Sequence, residues 1–209
     1  MSREAHVRID EGLEVKFLGA TLRIAHCSSL EDAQALQETL KKRFAECGLE
    51  LHPEKTCIIY CKDDNRREDY PKISFDFLGY TFRPRKSKNW KGQCFVNFTP
   101  AVSNKAKKDM RQTIRDWRMH LKPDKEIEDL SRMFNPVIRG WINYYGRFYK
   151  SELYPVLRHM DMALAKWATM KYKKLKRHRR RAIQWVDGIA NKEPKLFAHW
   201  QMGIKPAAG

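Results

Sequence analysis

The apolar positions of this chain change period near residue 100. Before that point they come in short stretches. LRIAHC at 22–27 is brief, apolar and β-tolerant, and predicts a strand. Ser28 and Glu31 then form an S-x-x-E capping box at a helix start. Leu30, Ala33, Leu36, Leu40, Phe44 and Cys47 recur at three- and four-residue steps, which predicts a helix over 30–47 with one buried face. Gly48 ends it as a C-terminal cap. TCIIYC at 56–61 predicts a second strand, and KDDNRREDY at 62–70 a solvated charged loop. ISFDFLGYTF at 73–82 predicts an aromatic-rich strand, with Gly79 inside it marking a bulge or a close backbone approach. RPRKSKNWK at 83–91 reads as a basic turn and 93–98 as a returning strand, together a hairpin with a basic tip. Residues 1–21 show no strong pattern. The first hundred residues should thus hold about four strands and a helix.

From Pro100 the period is helical. Ala106, Met110, Ile114, Trp117 and Leu121 define one helix. Asp124 caps a second, with Ile127, Leu130 and Phe134 inward. Asn135 and Pro136 offer a cap and a first-turn proline for a third, whose apolar face uses Val137, Ile138, Trp141, Ile142 and Tyr145. A longer helix carries Leu153, Val156, Leu157, Met160, Leu164 and Trp167, and a short one spans 182–190. The expected class is α+β: a short antiparallel sheet with one helix, then an all-helical bundle.

Charge sharpens that division. Residues 1–99 carry 17 Lys/Arg against 15 Asp/Glu, a net of +2; residues 100–209 carry 25 against 10, a net of +15. The second half attracts any polyanion. KYKKLKRHRRR at 171–181 holds eight of those cations in eleven residues. The composition, 42% hydrophobic and 11% aromatic, is that of a globular protein. No apolar run reaches 18 residues and no signal peptide opens the chain, so a cytoplasmic protein without a membrane partner is expected. Five cysteines, Cys27, Cys47, Cys57, Cys61 and Cys94, include no CxxC pair, which argues for reduced, mostly buried thiols rather than disulfides or a zinc site.

Catalytic patterns are missing. Paired carboxylates at a strand end, HxxxH, Gly-rich phosphate loops and GxSxG do not occur, and Asp63 and Asp64 fall in the charged loop. No catalytic residue, metal site or cofactor is expected. The strong pattern is basic residues interleaved with aromatics, since cations neutralise phosphates and exposed rings stack on unpaired bases. The candidate RNA-binding residues are Arg83, Arg85, Lys86 and Lys88 beside Trp90; Arg139, Arg147 and Lys150 among Trp141, Tyr144, Tyr145, Phe148 and Tyr149; and Lys171, Lys173, Lys174, Arg177, Arg179, Arg180 and Arg181. Trp141 and Tyr145 lie four apart on one helix face and read as core, and Phe148 reads the same way.

Several of these segments resemble a known family. GLELHPEKT at 48–56 and FDFLGYTFRPR at 75–85 look like the end of the palm of group II intron reverse transcriptases. NPVIRGWINYYGRF at 135–148 is similar to the maturase-specific domain that forms their helical thumb, and PKLFAHW at 194–200 to the family's C-terminal close. The resemblance covers about residues 23 to 203. It implies an unmatched segment over 1–22, a partial palm with a basic hairpin over 23–99, and a maturase-specific thumb over 100–209.

The departure from the family is equally informative. In these enzymes the strand matching 23–27 follows a Tyr-Ala-Asp-Asp turn whose aspartates hold the catalytic metal ions. The four matching positions here are Gly19, Ala20, Thr21 and Leu22, and neither Thr21 nor Leu22 can ligate magnesium. The resemblance therefore implies an RNA-binding maturase fragment that helps a group II intron fold for splicing, with intron or other structured RNA as partner and no polymerase activity alone. Two alternatives stand beside it: a polymerase piece that regains activity with a missing N-terminal reverse-transcriptase partner, and a decayed gene product whose fold persists.

Overall fold

The computed structural model describes residues 13–18, 22–53, 56–66 and 68–206, with side chains from Ile24 onward. It mixes helix and sheet, an α+β chain, and divides into two compact units, Met1–Pro100 and Ala101–Gly209. No described helix is long and apolar enough to cross a membrane.

The first unit holds two three-stranded sheets. One has the order β2-β1-β3, with β1 at Leu13–Leu18, β2 at Leu22–Cys27 and β3 at Cys57–Ile59. β1 pairs antiparallel with both neighbours, Leu18 opposite Leu22 and Val15 opposite Ile58. This strand corrects the patternless reading of 1–21: LEVKFL alternates apolar and polar, a period-2 signal. The turn positions Gly19, Ala20 and Thr21 lie outside the described residues. Helix α1 (Leu30–Glu46) follows, and its cap is one residue later than the sequence suggests. Ser29 Oγ accepts from the Asp32 amide at 3.1 Å, while Ser28 Oγ donates to the Asp32 carboxylate at 2.6 Å. Those hydroxyls hold the Asp32 carboxyl below the usual carboxylate range. Gly48, at φ +69°, stops the helix, a conformation costly for other residues.

The second sheet has the order β4-β5-β6. The single aromatic strand expected over 73–82 is a hairpin. β4 (Phe75–Phe77) turns at Leu78 and Gly79, both with positive φ, into β5 (Tyr80–Lys88). Phe75 faces Phe82 and Phe77 faces Tyr80. Two consecutive positive φ values mark the primed turns that match strand twist, so Gly79 serves a turn rather than a bulge. The basic segment 83–88 continues β5, and β6 (Cys94–Val102) runs past Pro100.

The second unit is built on one continuous apolar core. α2 (Asn104–Asp116) starts where Ser103 Oγ accepts from the Ala106 amide at 3.1 Å, and buries Ala106, Met110 and Ile114. A short 3-10 turn at Met119–Leu121 interrupts the pattern and leaves Leu121 63% exposed. α3 (Ile127–Tyr145) is one helix and not two, because it continues through Pro136. Its start is at Glu126 rather than Asp124, where the Asp129 carboxylate accepts from the Glu126 amide at 3.0 Å. α4 (Tyr154–Lys171) is central: Val156, Leu157, Met160, Leu164, Trp167 and Ala168 are fully buried. Trp167 Nε1 donates to the Lys122 carbonyl at 2.9 Å. α5 (Arg179–Lys192) begins three residues earlier than expected, within the basic run.

The C-terminal segment is fastened to this bundle by buried polar groups. Asn135, read from sequence as a helix cap, donates its amide to the Leu196 carbonyl at 2.8 Å and accepts from the Ala198 amide at 3.0 Å. Asp161 Oδ1 lies 2.8 Å from His199 Nε2 and accepts from Trp200 Nε1 at 2.8 Å. Each satisfies a polar group that burial would otherwise leave unpaired.

Candidate nucleic-acid interface

Twelve of the fourteen candidate cations lie exposed: Arg83, Lys86, Lys88, Arg139, Arg147, Lys150, Lys173, Lys174, Arg177, Arg179, Arg180 and Arg181. Arg85 does not. It is 7% exposed, and its guanidinium donates to the carbonyls of Thr99 at 3.3 Å and Thr81 at 3.4 Å. The segment is a strand with β6 beside it, not a turn, and this side chain bonds backbone within that sheet. Lys171 is likewise engaged inside its own unit. Its Nζ donates to the Lys125 carbonyl at 2.8 Å and the Pro123 carbonyl at 3.2 Å, and pairs with Glu126 at 2.7 Å. The Glu126 hydrogen bond pushes the Lys171 ammonium above its ordinary value.

The aromatics sort in the same way. Trp141 is half-buried and stacks on Trp117, with ring centroids 5.7 Å apart. Phe148 is 43% exposed, against the core reading, and lies under the Arg147 guanidinium at 5.8 Å. Tyr144 and Tyr149 are also exposed at this end of α3. Trp90 is 89% exposed at the tip of the β5–β6 hairpin, with Lys91 Nζ 5.0 Å from its ring. Asn89 shapes that tip: its Oδ1 accepts from the amides of Lys91 at 3.0 Å and Gln93 at 2.9 Å. Cations next to exposed rings can meet both the phosphate and the face of an unpaired base.

A groove in the helical unit was not legible in the sequence. About 680 Å³ in volume, it lies against α2, the 3-10 turn, α4 and the start of α5. Ile114, Met119, Met162, Ala163 and Ala165 supply apolar lining, and Arg115, Lys166, Arg177 and Arg179 the cations, with no carboxylate among them. His120, His159 and Thr169 complete the wall. Burial, then the Arg115 and Arg111 charges, push the His159 imidazole below its ordinary value. Arg177 takes φ 65° in the link to α5, a left-handed conformation uncommon for arginine. Groove cations come from residues 115, 166, 177 and 179, so no local window contains them all.

Among the described residues no three His, Cys, Asp or Glu side chains gather as a metal site. The thiols are less uniform than expected: Cys27 and Cys61 are buried, Cys57 half-buried, and Cys47 and Cys94 exposed. Burial, with Asp32 nearby, pushes the Cys27 thiol up.

Compared with known proteins, residues 107–185 match the family described as group II intron, maturase-specific domain. Against curated proteins the chain finds no match.

Proposed function

We propose, with the group II intron maturase-specific domain at residues 107–185 as premise, that this protein is an RNA-binding maturase fragment without polymerase activity of its own. That domain supports a maturase role in group II intron splicing. One observation carries the RNA-binding reading: the unit holding the domain also carries nine of the twelve exposed candidate cations. In this reading the intron supplies the catalytic centre, and the protein fixes its shape through phosphate and single-strand contacts.

The sheet unit fits the role of a partial palm over 23–99, with β2 as the strand that follows the metal-binding turn in the family's polymerases. Thr21 and Leu22 at the matching positions offer no carboxylate, which favours the non-catalytic reading. The half-buried apolar face of α1 and the exposed Leu49 leave room for a covering reverse-transcriptase segment supplied by a partner. A cytoplasmic location belongs to this proposal.

The test is binding to a group II intron RNA over a salt series. Each phosphate contact contributes roughly 0.7 to 0.9 to the slope of log affinity on log salt. Replacing Lys173, Lys174, Arg180 and Arg181 with Ala should weaken binding and flatten that slope by about 2 to 3, if most of the four meet phosphates. Arg85→Lys and Lys171→Met, both internal contacts, should leave the slope unchanged. Wild-type affinity and slope in the fourfold variant would reduce the basic run to a solvated face. Primer extension by the purified protein with template, nucleotides and magnesium would overturn the non-catalytic part.

A further inference from the structure

We infer that the groove between α2, α4 and the start of α5 receives an unpaired nucleotide of the bound RNA, its base on the apolar floor and its phosphates on the cationic rim. This inference rests on the RNA-binding reading and deepens it, because a basic surface alone distinguishes no form of RNA.

The chemistry of the lining selects the occupant. Ile114, Met119 and Ala165 are almost fully buried, and they join Met162 and Ala163 in an apolar lining that the phosphates of a duplex would not use. A flat base can occupy such a surface, and extruded bases are commonly held between apolar or aromatic side chains. Methionine sulfur adds favourable contact with ring edges and faces. The volume of about 680 Å³ falls within the range of small-ligand sites and has room for a nucleotide. An uncharged apolar ligand would leave Arg115, Lys166, Arg177 and Arg179 unneutralised, and a cation would be repelled. A ligand that is flat and apolar at one end and anionic at the other satisfies both parts.

The rim is prearranged. The Gln112 amide oxygen accepts from Arg115 Nε at 3.2 Å and from Arg115 Nη2 at 2.6 Å, which restricts the guanidinium before any ligand arrives. The backbone at Arg177 turns through the left-handed region at φ 65°, where the link into α5 passes the groove. Thr169 Oγ1 donates to the Lys166 carbonyl at 2.7 Å and retains lone pairs for a base amino group. A neutral His159 imidazole can donate and accept, as the edge of a base requires. The whole lining falls within the residues that match the maturase-specific family.

Two labelled probes of equal length and charge test this: a twelve-nucleotide oligouridylate and the same strand with abasic sugars at its central positions. Fluorescence anisotropy should show the whole 209-residue chain binding the first about tenfold more tightly, the scale of one stacked base. Ala163→Phe, which fills the groove, should remove that preference. Lys166→Ala, at an exposed position, should weaken both probes and keep the fold. Far-ultraviolet circular dichroism checks the fold of each variant. Equal affinity of the wild type for the two probes overturns the inference, as does a preference that survives in a folded Ala163→Phe. Loss of poly-glutamate binding in both variants, with oligouridylate affinity intact, would assign the groove to an acidic peptide and likewise overturn it. Intron RNA binding by the same wild-type protein separates the outcomes: if that binding is present without the base preference, only the groove assignment fails.

Discussion

The two units differ most in how much they bury. In the helical unit one apolar cluster runs from Val102 to Ile204, with Trp167, Trp200, Phe197 and Met160 fully enclosed. In the sheet unit the cluster around α1 has Cys27, Ala33 and Tyr60 as its buried members, with Leu30, Leu36 and Tyr70 half-covered against them. Apolar burial is the main favourable term in folding, at roughly 25 cal/mol per Å² removed from water. The helical unit therefore has the larger reserve of stability, and most of the exposed candidate cations stand on it. Crowded like charges oppose folding, so a dense positive surface requires a scaffold with stability to spare. The sheet unit, near neutral, carries no such load.

The largest expected effect breaks this contrast from inside. Trp167→Ala removes a buried indole from α4 and leaves the Lys122 carbonyl without its donor, a loss on the order of 4 kcal/mol. Leu36→Ala on the half-covered face of α1 should cost less than about 1 kcal/mol. Tryptophan emission reads one unit selectively: five of the six tryptophans lie in the helical unit, and Trp90 is already exposed. The denaturant midpoint by emission should therefore fall sharply for Trp167→Phe or Trp167→Ala and barely move for Leu36→Ala. An emission midpoint that falls equally for Leu36→Ala and Trp167→Ala would mean that the two units unfold as one.

Legibility follows the same division. The period of α2 and α4 was readable because each presents a full apolar face to one core, and Ala106, Met110, Ile114, Leu157 and Leu164 are buried as the spacing implies. What failed depends on distant partners or on backbone conformation. Pro136 ends a helix by local rules, yet α3 passes through it while Phe134 and Ile138 pack on either side. The Asn135 amide that looked like a cap is engaged with residues more than sixty positions away. Leu78 and Gly79 lack the Asn-Gly or Asp-Gly signal of a two-residue turn, so the local pattern predicts one strand where a hairpin stands. Arg85 and Lys171 show that composition finds a basic segment but not which of its side chains turn inward. The groove assembles from three helices, and no window of sequence displays it.

A second, smaller effect tests the polar fastening of the helical unit. Asp161→Ala leaves buried His199 and Trp200 without their shared acceptor, at a cost on the order of 3 kcal/mol. Asp161→Asn retains an amide oxygen for Trp200 Nε1 and should cost less. Limited proteolysis adds a local reading, since cleavage near Lys195 should rise in the alanine variant before global unfolding. If the alanine and asparagine variants melt together at the wild-type temperature, the buried carboxylate contributes nothing and apolar packing alone holds the C-terminal segment.

The smallest effect concerns pH and sharpens the electrostatic side of the contrast. His159 on α4 is held below its ordinary value by burial first, then by Arg115 and Arg111. Arg111 and Arg115 lie on α2, and His120, Lys166, Arg177 and Arg179 share the groove lining with His159. In the unfolded chain the imidazole titrates near its ordinary value of about 6.5. Between that value and the lower native one, the unfolded state binds a proton that the native state refuses. Its contribution to stability is thus complete above the ordinary value and declines as pH falls through that window. His159→Gln removes the titration, so its stability should fall less than that of wild type between pH 7.5 and pH 5.5, about 1 unit either side of the ordinary value. Bound oligonucleotide should also reduce the wild-type decline, because phosphates on Arg115 and Lys166 favour a protonated His159. Parallel pH profiles for wild type and His159→Gln, measured by tryptophan emission in denaturant, would show that the groove's charges do not reach this imidazole.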